Sequence, residues 1–432
     1  MFMKLLFIVL DGVGDRANPA LNGLTPLEAA TTPGLDNLAR RGRLGIMYTV
    51  SKGVAPESDA AVFSILGYDP FKIYTGRGPI EALGSGLSIR DEWDLAIRCN
   101  FATVDEKRRI IDRRVGRSLT TSEAVELAEA INREVKLESY PAKFTFKATV
   151  GHRGVLVISS LSSKLSDRIS NTDPAYAKVE GIGVAKTGGE MFIEECKPLD
   201  SSLEALNSAK LVNEFTAKSY NVLNKHPVNE DRASRGLLKA NIILSRDAGT
   251  RIPKVRSLKD RYGKRFACFA EMPVEIGIAK VAGMNVVSIP PPSGNLKNDM
   301  DVRLRKLLEL INDYDAFYIH IKGPDEPGHD GDAQRKKEVI ELIDKYFIEP
   351  LTNSINLREY VLCVTADHAT PCTVKAHTDD PVPLLICGNN ISSDNLNRFT
   401  EKECRRGSLG VVEKGIYLLD TLAKMAWPDT KY

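Results

Sequence analysis

Val361–His377, VLCVTADHATPCTVKAH, is the stretch whose reading decides the fold. Its opening run, Val361–Thr365, has the length and apolar composition of a buried strand and leads directly to Asp367 and His368. In an open α/β sheet, strand ends are where chemistry is presented. Asp367 and His368 are therefore expected at the rim of a sheet. His377 returns after a loop broken by Pro371, so one carboxylate and two imidazoles fall within a single short segment. Hard oxygen combined with imidazole nitrogen suits a divalent metal.

Outward from there, Leu5–Leu10 repeats the pattern, an apolar run closing on Asp11-Gly12-Val13-Gly14, which places Asp11 at a second strand end. Ala316–Ile321, AFYIHI, is a third such run, followed by Asp325 and His329 in a segment rich in Gly and Pro. A loop of that composition can fold back so that both side chains face one ion. Ser58 lies just before a helix of small and apolar residues, near unpaired backbone N–H groups and the positive end of the helix dipole. That is an ordinary N-cap position, and it equally suits a nucleophile that must carry phosphate. Together the groups suit two ions, with Asp325, His329 and His377 for one and Asp11, Ser58, Asp367 and His368 for the other. Two divalent ions roughly 4 Å apart can stabilise both the attacking and departing oxygens of a phosphoryl transfer. Ser58 then reads as a metal-activated nucleophile.

At 432 residues the chain exceeds one ordinary domain, and two are expected. The 59 basic and 57 acidic residues leave a formal net charge of +2, so no global field recruits nucleic acid or an anionic membrane. The seven cysteines show no C-x-x-C spacing, which fits a reducing interior. MFMKLLFIVL is too short an apolar run for a signal sequence or a membrane span, and reads as a core strand of a cytoplasmic protein. Gln334 is the only glutamine, a bias that fits a hot environment. From about Gly86 the texture changes. Asp94–Val104, Lys143–Val150 and Gly154–Ser159 read as strands, with a helix over Ser122–Val135 capped by Ser122 and another over Ser201–Asn224. After Ile252-Pro253 the βα alternation resumes, with strands at Phe266–Ala270, Asn285–Ile289 and Pro383–Gly388, and helices at Asp301–Leu310, Ala333–Phe347 and Leu418–Met425. Expected domains are residues 1–85 with 254–432, and an inserted α+β unit at 86–253.

Four segments, in this order, carry a family resemblance: FIVLDGVGD at Phe7–Asp15, GVAPESDAAVFSILGYDP at Gly53–Pro70, KGPDEPGHDGD at Lys322–Asp332, and TADHATPCTVKAHTDDPVP at Thr365–Pro383. They resemble the cofactor-independent phosphoglycerate mutases in their archaeal form, within the alkaline phosphatase superfamily. Ala369-Thr370-Pro371 after the Asp-His pair, where the bacterial branch has Gly, points to the archaeal branch. The resemblance implies an alkaline-phosphatase-like α/β domain carrying an inserted α+β phosphotransferase domain. It also implies interconversion of 2-phosphoglycerate and 3-phosphoglycerate through a phosphoserine at Ser58, without 2,3-bisphosphoglycerate. The implied cofactors are two divalent ions, usually Mn2+, with Mg2+, Co2+ or Zn2+ as alternatives. The inserted domain is expected to hold the substrate. His152 and Arg153 resemble the family's substrate contacts and Asp173 its substrate-loop acid, placed to act as base; Arg246, after the apolar strand Ile242–Leu244, reads as a bidentate clamp, and Lys280 as either a further anion contact or a solvated helix lysine. A homo-oligomer is compatible with the sequence. The rival within the superfamily is another phosphomutase, such as a phosphopentomutase, or a simple phosphatase.

Overall fold

The computed structural model describes residues 3–179, 182–185 and 191–429. It divides into two compact units: Met1–Ile73, Val255–Glu271 and Ile278–Tyr432 form one, and Tyr74–Lys254 with Met272–Gly277 form the other.

The first unit is built on an eight-stranded sheet in the order Asn285–Val286, Phe266–Phe269, Ala316–Ile321, Lys4–Leu10, Tyr360–Thr365, Val382–Gly388, Gly42–Met47 and Gly410–Val412. Lys4–Leu10 lies parallel to both its neighbours, with Leu10 opposite Ile321 and Val9 opposite Thr365. These three central strands are buried almost throughout, as continuous apolar runs in a parallel sheet require. Because they are parallel and in register, their C-terminal ends share one edge. Asp11, the segment from Lys322 to Asp325, and Asp367 leave the sheet there. Val382–Gly388 runs antiparallel to both its neighbours.

Local chemistry shifts several expected boundaries. The strand expected over Asn285–Ile289 pairs only at Asn285–Val286. The helix beginning Ala333 runs regularly to Ile343, then widens into a π turn over Asp344–Ile348. That turn lets the Asp344 carboxylate accept from the N–H groups of Gly34 and Leu35, at 2.9 and 2.7 Å, capping the Pro33–Arg41 helix whose own Thr32 side chain makes no capping bond. The segment Asp325–Asp330, expected as a loop, is a short helix. Helical spacing sets Asp325 and His329 on one face, one turn apart.

The second unit holds a five-stranded antiparallel sheet centred on Asp94–Val104, which pairs with Ile242–Gly249, Arg153–Ser160 and Ile110–Asp112, while Ala142–Ala148 pairs with Arg153–Ser160. Helices Thr121–Glu134 and Leu203–Leu223 contribute to its core, where Phe101 and Phe146 meet edge to face at 5.5 Å. Thr120 rather than Ser122 caps the first of these helices, because Glu123 returns a hydrogen bond to Thr120 and closes a capping box. This unit begins at Tyr74, upstream of the expected residue 86, because the helix Arg77–Gly84 packs on its sheet. A Cβ on Gly78 would lie 2.2 Å from the Ala96 carbonyl oxygen, so only glycine permits this approach. Gly78→Ala is expected to destabilise this unit by about 1–3 kcal/mol through overpacking, read as a lowered midpoint in urea unfolding; an unchanged midpoint would show that the contact is dispensable.

Candidate metal centre and active site

At the shared edge of the central strands, seven side chains expected from the sequence come together: Asp11, Ser58, Asp325, His329, Asp367, His368 and His377. Gly12 has φ +62°, and a Cβ there would lie 2.8 Å from both Asp325 and Thr370, so the turn that carries Asp11 needs a glycine. Ser58 is the first residue of the helix Ser58–Ile65 and is buried; Glu57 occupies the N-cap and makes no side-chain capping bond. The Ser58 hydroxyl is thus not spent on capping. Its Oγ lies 3.2 Å from His368 Nε2.

The hydrogen bonds fix which imidazole nitrogens carry protons. Thr370 Oγ1 donates its one hydrogen to Asp325 Oδ1 at 2.7 Å, so at its 3.0 Å contact with His368 Nδ1 it can only accept. His368 then holds its proton on Nδ1 and turns the Nε2 lone pair toward Ser58, with Asp11 Oδ1 at 3.4 Å and Asp367 Oδ2 at 3.3 Å. His377 Nδ1 donates to the Pro56 carbonyl at 2.9 Å and His329 Nδ1 to the Lys375 carbonyl at 3.1 Å. Their Nε2 atoms face one another at 3.2 Å, each 3.5 Å from Asp325 Oδ1.

Charge follows the same pattern. Burial and the Asp11 charge push the Asp325 carboxyl up, but His377 and His368 hold it well below the usual carboxylate range. Burial, together with the Asp11 carboxylate, raises Asp367 well above that range. Burial likewise opposes ionisation of Asp11, yet Lys322, with Nζ 2.8 Å from Asp11 Oδ2, and His368 keep it low. Burial and His368 depress His377, but the Asp325 and Glu57 carboxylates leave it raised. Asp11 Oδ1 and Asp367 Oδ2 are buried and accept no hydrogen bond among the described residues. Buried anionic oxygens facing imidazole lone pairs are costly without a cation. The donor set fits divalent metal ions, and its ligand atoms fall into two tight groups, Asp325, His368 and His377, and Asp11, His320 and Asp367.

The nearest contacts follow the division expected from the sequence as well: His329 Nε2 lies with Asp325 and His377, and His368 Nε2 with Ser58, Asp11 and Asp367, while His320 also stands beside Asp11 and Asp367. His320 and Lys322 were both missed. The signals were a single imidazole inside an otherwise apolar strand and a lysine opening the KGPDEPGHDGD motif.

In the second unit, His152, Asp173 and Arg246 are buried among arginines. Asp173 accepts from Arg113 Nε at 3.0 Å and Arg246 Nη1 at 3.2 Å; burial raises its carboxyl, but these guanidinium groups outweigh burial and lower it. Burial and then the charges of Arg153, Arg114, Arg98 and Arg246 push His152 down to about 2, so its imidazole is neutral. Glu81 lies 2.7 Å from Arg77 and 3.3 Å from Arg98. The cluster is rich in fixed positive charge, which suits an anionic ligand. Lys280 is exposed, as the reading of a solvated helix lysine expects, and belongs to the first unit, on the last turn of the helix Pro273–Val281.

Fold and cluster define a class: an α/β protein able to hold divalent ions beside a buried serine hydroxyl at its sheet edge. The family profile of 2,3-bisphosphoglycerate-independent phosphoglycerate mutase matches residues 39–229. The mutase of that name from Aeropyrum pernix is 45% identical over 430 residues, covering 98% of this chain and 100% of that protein. The enzyme 1 of that name from Methanocaldococcus jannaschii is 38% identical, covering 99% and 98%. Among solved structures, the PH0037 protein of Pyrococcus horikoshii aligns over 100% of this chain and 99% of its own at 32% identity and a TM-score of 0.78. The cofactor-independent phosphoglycerate mutase of Thermoplasma acidophilum aligns over 98% and 100% at 32% identity and 0.60. The chain belongs to the 2,3-bisphosphoglycerate-independent phosphoglycerate mutase family.

Beneath the cluster, the fully buried Lys336 ammonium donates to Gly14 O at 3.2 Å, Asp15 Oδ2 at 2.9 Å and Thr370 O at 2.9 Å. The Cys372 N–H adds a bond to Asp15 Oδ1 at 3.1 Å. Lys336→Met would strand the Asp15 carboxylate in the interior. Urea unfolding is expected to show a loss of about 3–5 kcal/mol, and a loss below about 1 kcal/mol would refute that assignment of the pair.

Proposed function

We propose that this chain interconverts 2-phosphoglycerate and 3-phosphoglycerate through a phosphoserine at Ser58, without free 2,3-bisphosphoglycerate. One observation carries the reading: in a member of this family, a buried serine hydroxyl left free of capping lies 3.2 Å from the His368 Nε2 lone pair, among carboxylates suited to divalent ions. Asp11, Asp325, His329, Asp367, His368 and His377 would hold two divalent ions, for which the mixed oxygen and nitrogen donors favour manganese, cobalt or zinc over magnesium. Bound there, such ions supply Lewis acidity that lowers the pKa of a hydroxyl and offsets charge on phosphoryl oxygens.

The remaining steps fall to side chains. Ser58 Oγ gives up its hydroxyl proton and forms a bond to phosphorus as the bond from phosphorus to the glycerate oxygen breaks, and the departing oxygen takes up a proton in exchange. For return transfer, the other glycerate hydroxyl loses its proton and attacks the phosphoserine, the bond from phosphorus to Ser58 Oγ breaks, and Oγ regains a proton. The Lys322 ammonium, beside Asp11, would attract the phosphoryl oxygens. His152, Arg153 and Arg246 would hold the glycerate carboxylate and hydroxyls, retaining the intermediate so that water does not replace it. Asp173 is the group we assign to proton exchange with those hydroxyls. Clamped by Arg113 and Arg246 it is a weak base, and a substrate anion competing for those guanidinium groups would restore its basicity. The seven described cysteines are buried and none is in a disulfide, in keeping with a reducing compartment, and no described helix is long and apolar enough to cross a membrane.

Metal-stripped protein resupplied with Mn2+ is expected to form 2-phosphoglycerate from 3-phosphoglycerate with no bisphosphoglycerate added. Ser58→Ala should lower that rate roughly a thousandfold or more. Release of glycerate and inorganic phosphate in place of the isomer would make the protein a phosphatase. In the same assay, Asp173→Asn should reduce kcat by roughly 10²–10⁴-fold, and an unchanged kcat would remove it from the proton path.

A further inference from the structure

His320 is 1% exposed, inside a strand whose remaining side chains belong to the core. An imidazole in such a place is costly unless its nitrogens have partners. Its Nδ1 lies 3.0 Å from the Tyr318 hydroxyl, an unusual contact because the two residues sit two apart on the same face of one strand. Its Nε2 is directed to the rim, 3.9 Å from Asp367 Oδ2. One ligand atom each from His320, Asp11 and Asp367 lie within 4.8 Å of one another.

Independent of that proximity, Asp11 Oδ1 and Asp367 Oδ2 are buried oxygens that accept no hydrogen bond among the described residues. Lys322 engages the opposite oxygen of Asp11, Oδ2, at 2.8 Å, and the Gly12 and His368 N–H groups both engage Asp367 Oδ1 at 3.1 Å. The second oxygen of each carboxylate is thus left for some other partner.

We propose that His320 is a metal ligand, completing an oxygen, oxygen and nitrogen set with Asp11 and Asp367 for one of the two ions. This rests on the two-ion reading above. With the Tyr318 hydroxyl accepting the His320 Nδ1 proton, the Nε2 lone pair would be turned toward Asp11 and Asp367 and the ring orientation fixed. A buried imidazole ligand also makes this position selective, since nitrogen donors favour Mn2+, Co2+ or Zn2+ over Mg2+. His320 would then contribute to the choice of metal as well as to its retention.

The test uses the full chain, first stripped of metal and labelled with 15N in its histidines. On titration with Zn2+, the Nε2 resonance of His320 is expected to move to a metal-bound position in step with one equivalent of ion. Calorimetry with Mn2+ should show His320→Gln weakening one of two sites by about tenfold or more, with the other unchanged and the preference for Mn2+ over Mg2+ reduced at the weakened site. A His320 Nε2 resonance that stays put while two equivalents bind would overturn the proposal and leave His320 as a core histidine bonded to Tyr318. Equal affinities in wild type and His320→Gln would overturn it as well. If His320→Gln does not fold, the wild-type resonance decides alone. Wild-type protein that binds no divalent ion would instead defeat the two-ion reading itself.

Discussion

The structure of the first unit depends on a concentration of buried charge at one sheet edge. Asp11, Asp325 and Asp367 arrive there because three adjacent strands run parallel and in register, so their C-terminal ends coincide. Carboxylates in such a place raise one another's proton affinity and lose solvation. Asp367 carries that conflict most openly, while Asp11 and Asp325 are kept ionised by Lys322 and by the histidines. Such an arrangement is costly for stability alone, and its donor set is suited to divalent cations beside a serine hydroxyl.

Keeping such a cluster in place takes a second layer of polar contacts. Thr370 spends its hydroxyl on both Asp325 and His368, aligning a carboxylate and an imidazole with one side chain. Lys336 has three acceptors for its three N–H groups and so is fully satisfied without water. Through it, the loop after Leu10 and the loop after Thr365 are tied to the helix that follows the Asp325 segment. Glu401 extends the frame, accepting from the Asp15 N–H at 3.2 Å and the Thr25 hydroxyl at 2.7 Å. The second unit uses the opposite balance, with buried guanidinium groups in excess and acids such as Glu81 and Asp173 pinned between them.

Much of this was legible from residues. Apolar runs that stop at an acid announced Asp11 and Asp367, because a parallel core strand must be apolar throughout and can only turn polar where it leaves the sheet. The two histidines near the Asp325 and Asp367 motifs, His329 and His377, were found by spacing. Less legible were features set by contacts distant in sequence. Thr120 and Ser122 are both competent caps, and only the Glu123 carboxylate reaching back selects the first. The Asp325 segment reads as a loop from its Gly and Pro, yet forms a turn of helix that aligns Asp325 with His329.

His320 marks the boundary most clearly. In the string AFYIHI nothing separates a ligand from an ordinary core histidine, because alternation along a strand says which face a side chain takes and not what stands opposite. The sequence by itself determined the βα framework, the acids at its strand ends, the serine at a helix start and the family. Tertiary structure alone decided how those groups share their neighbours: which nitrogen of each imidazole carries the proton, which carboxylate oxygens remain without a donor, and that His320 and Lys322 lie beside Asp11. The physical reason is that protonation and coordination depend on distances of about 3 Å between side chains whose positions are fixed by strand pairing across hundreds of residues, which local propensity does not encode.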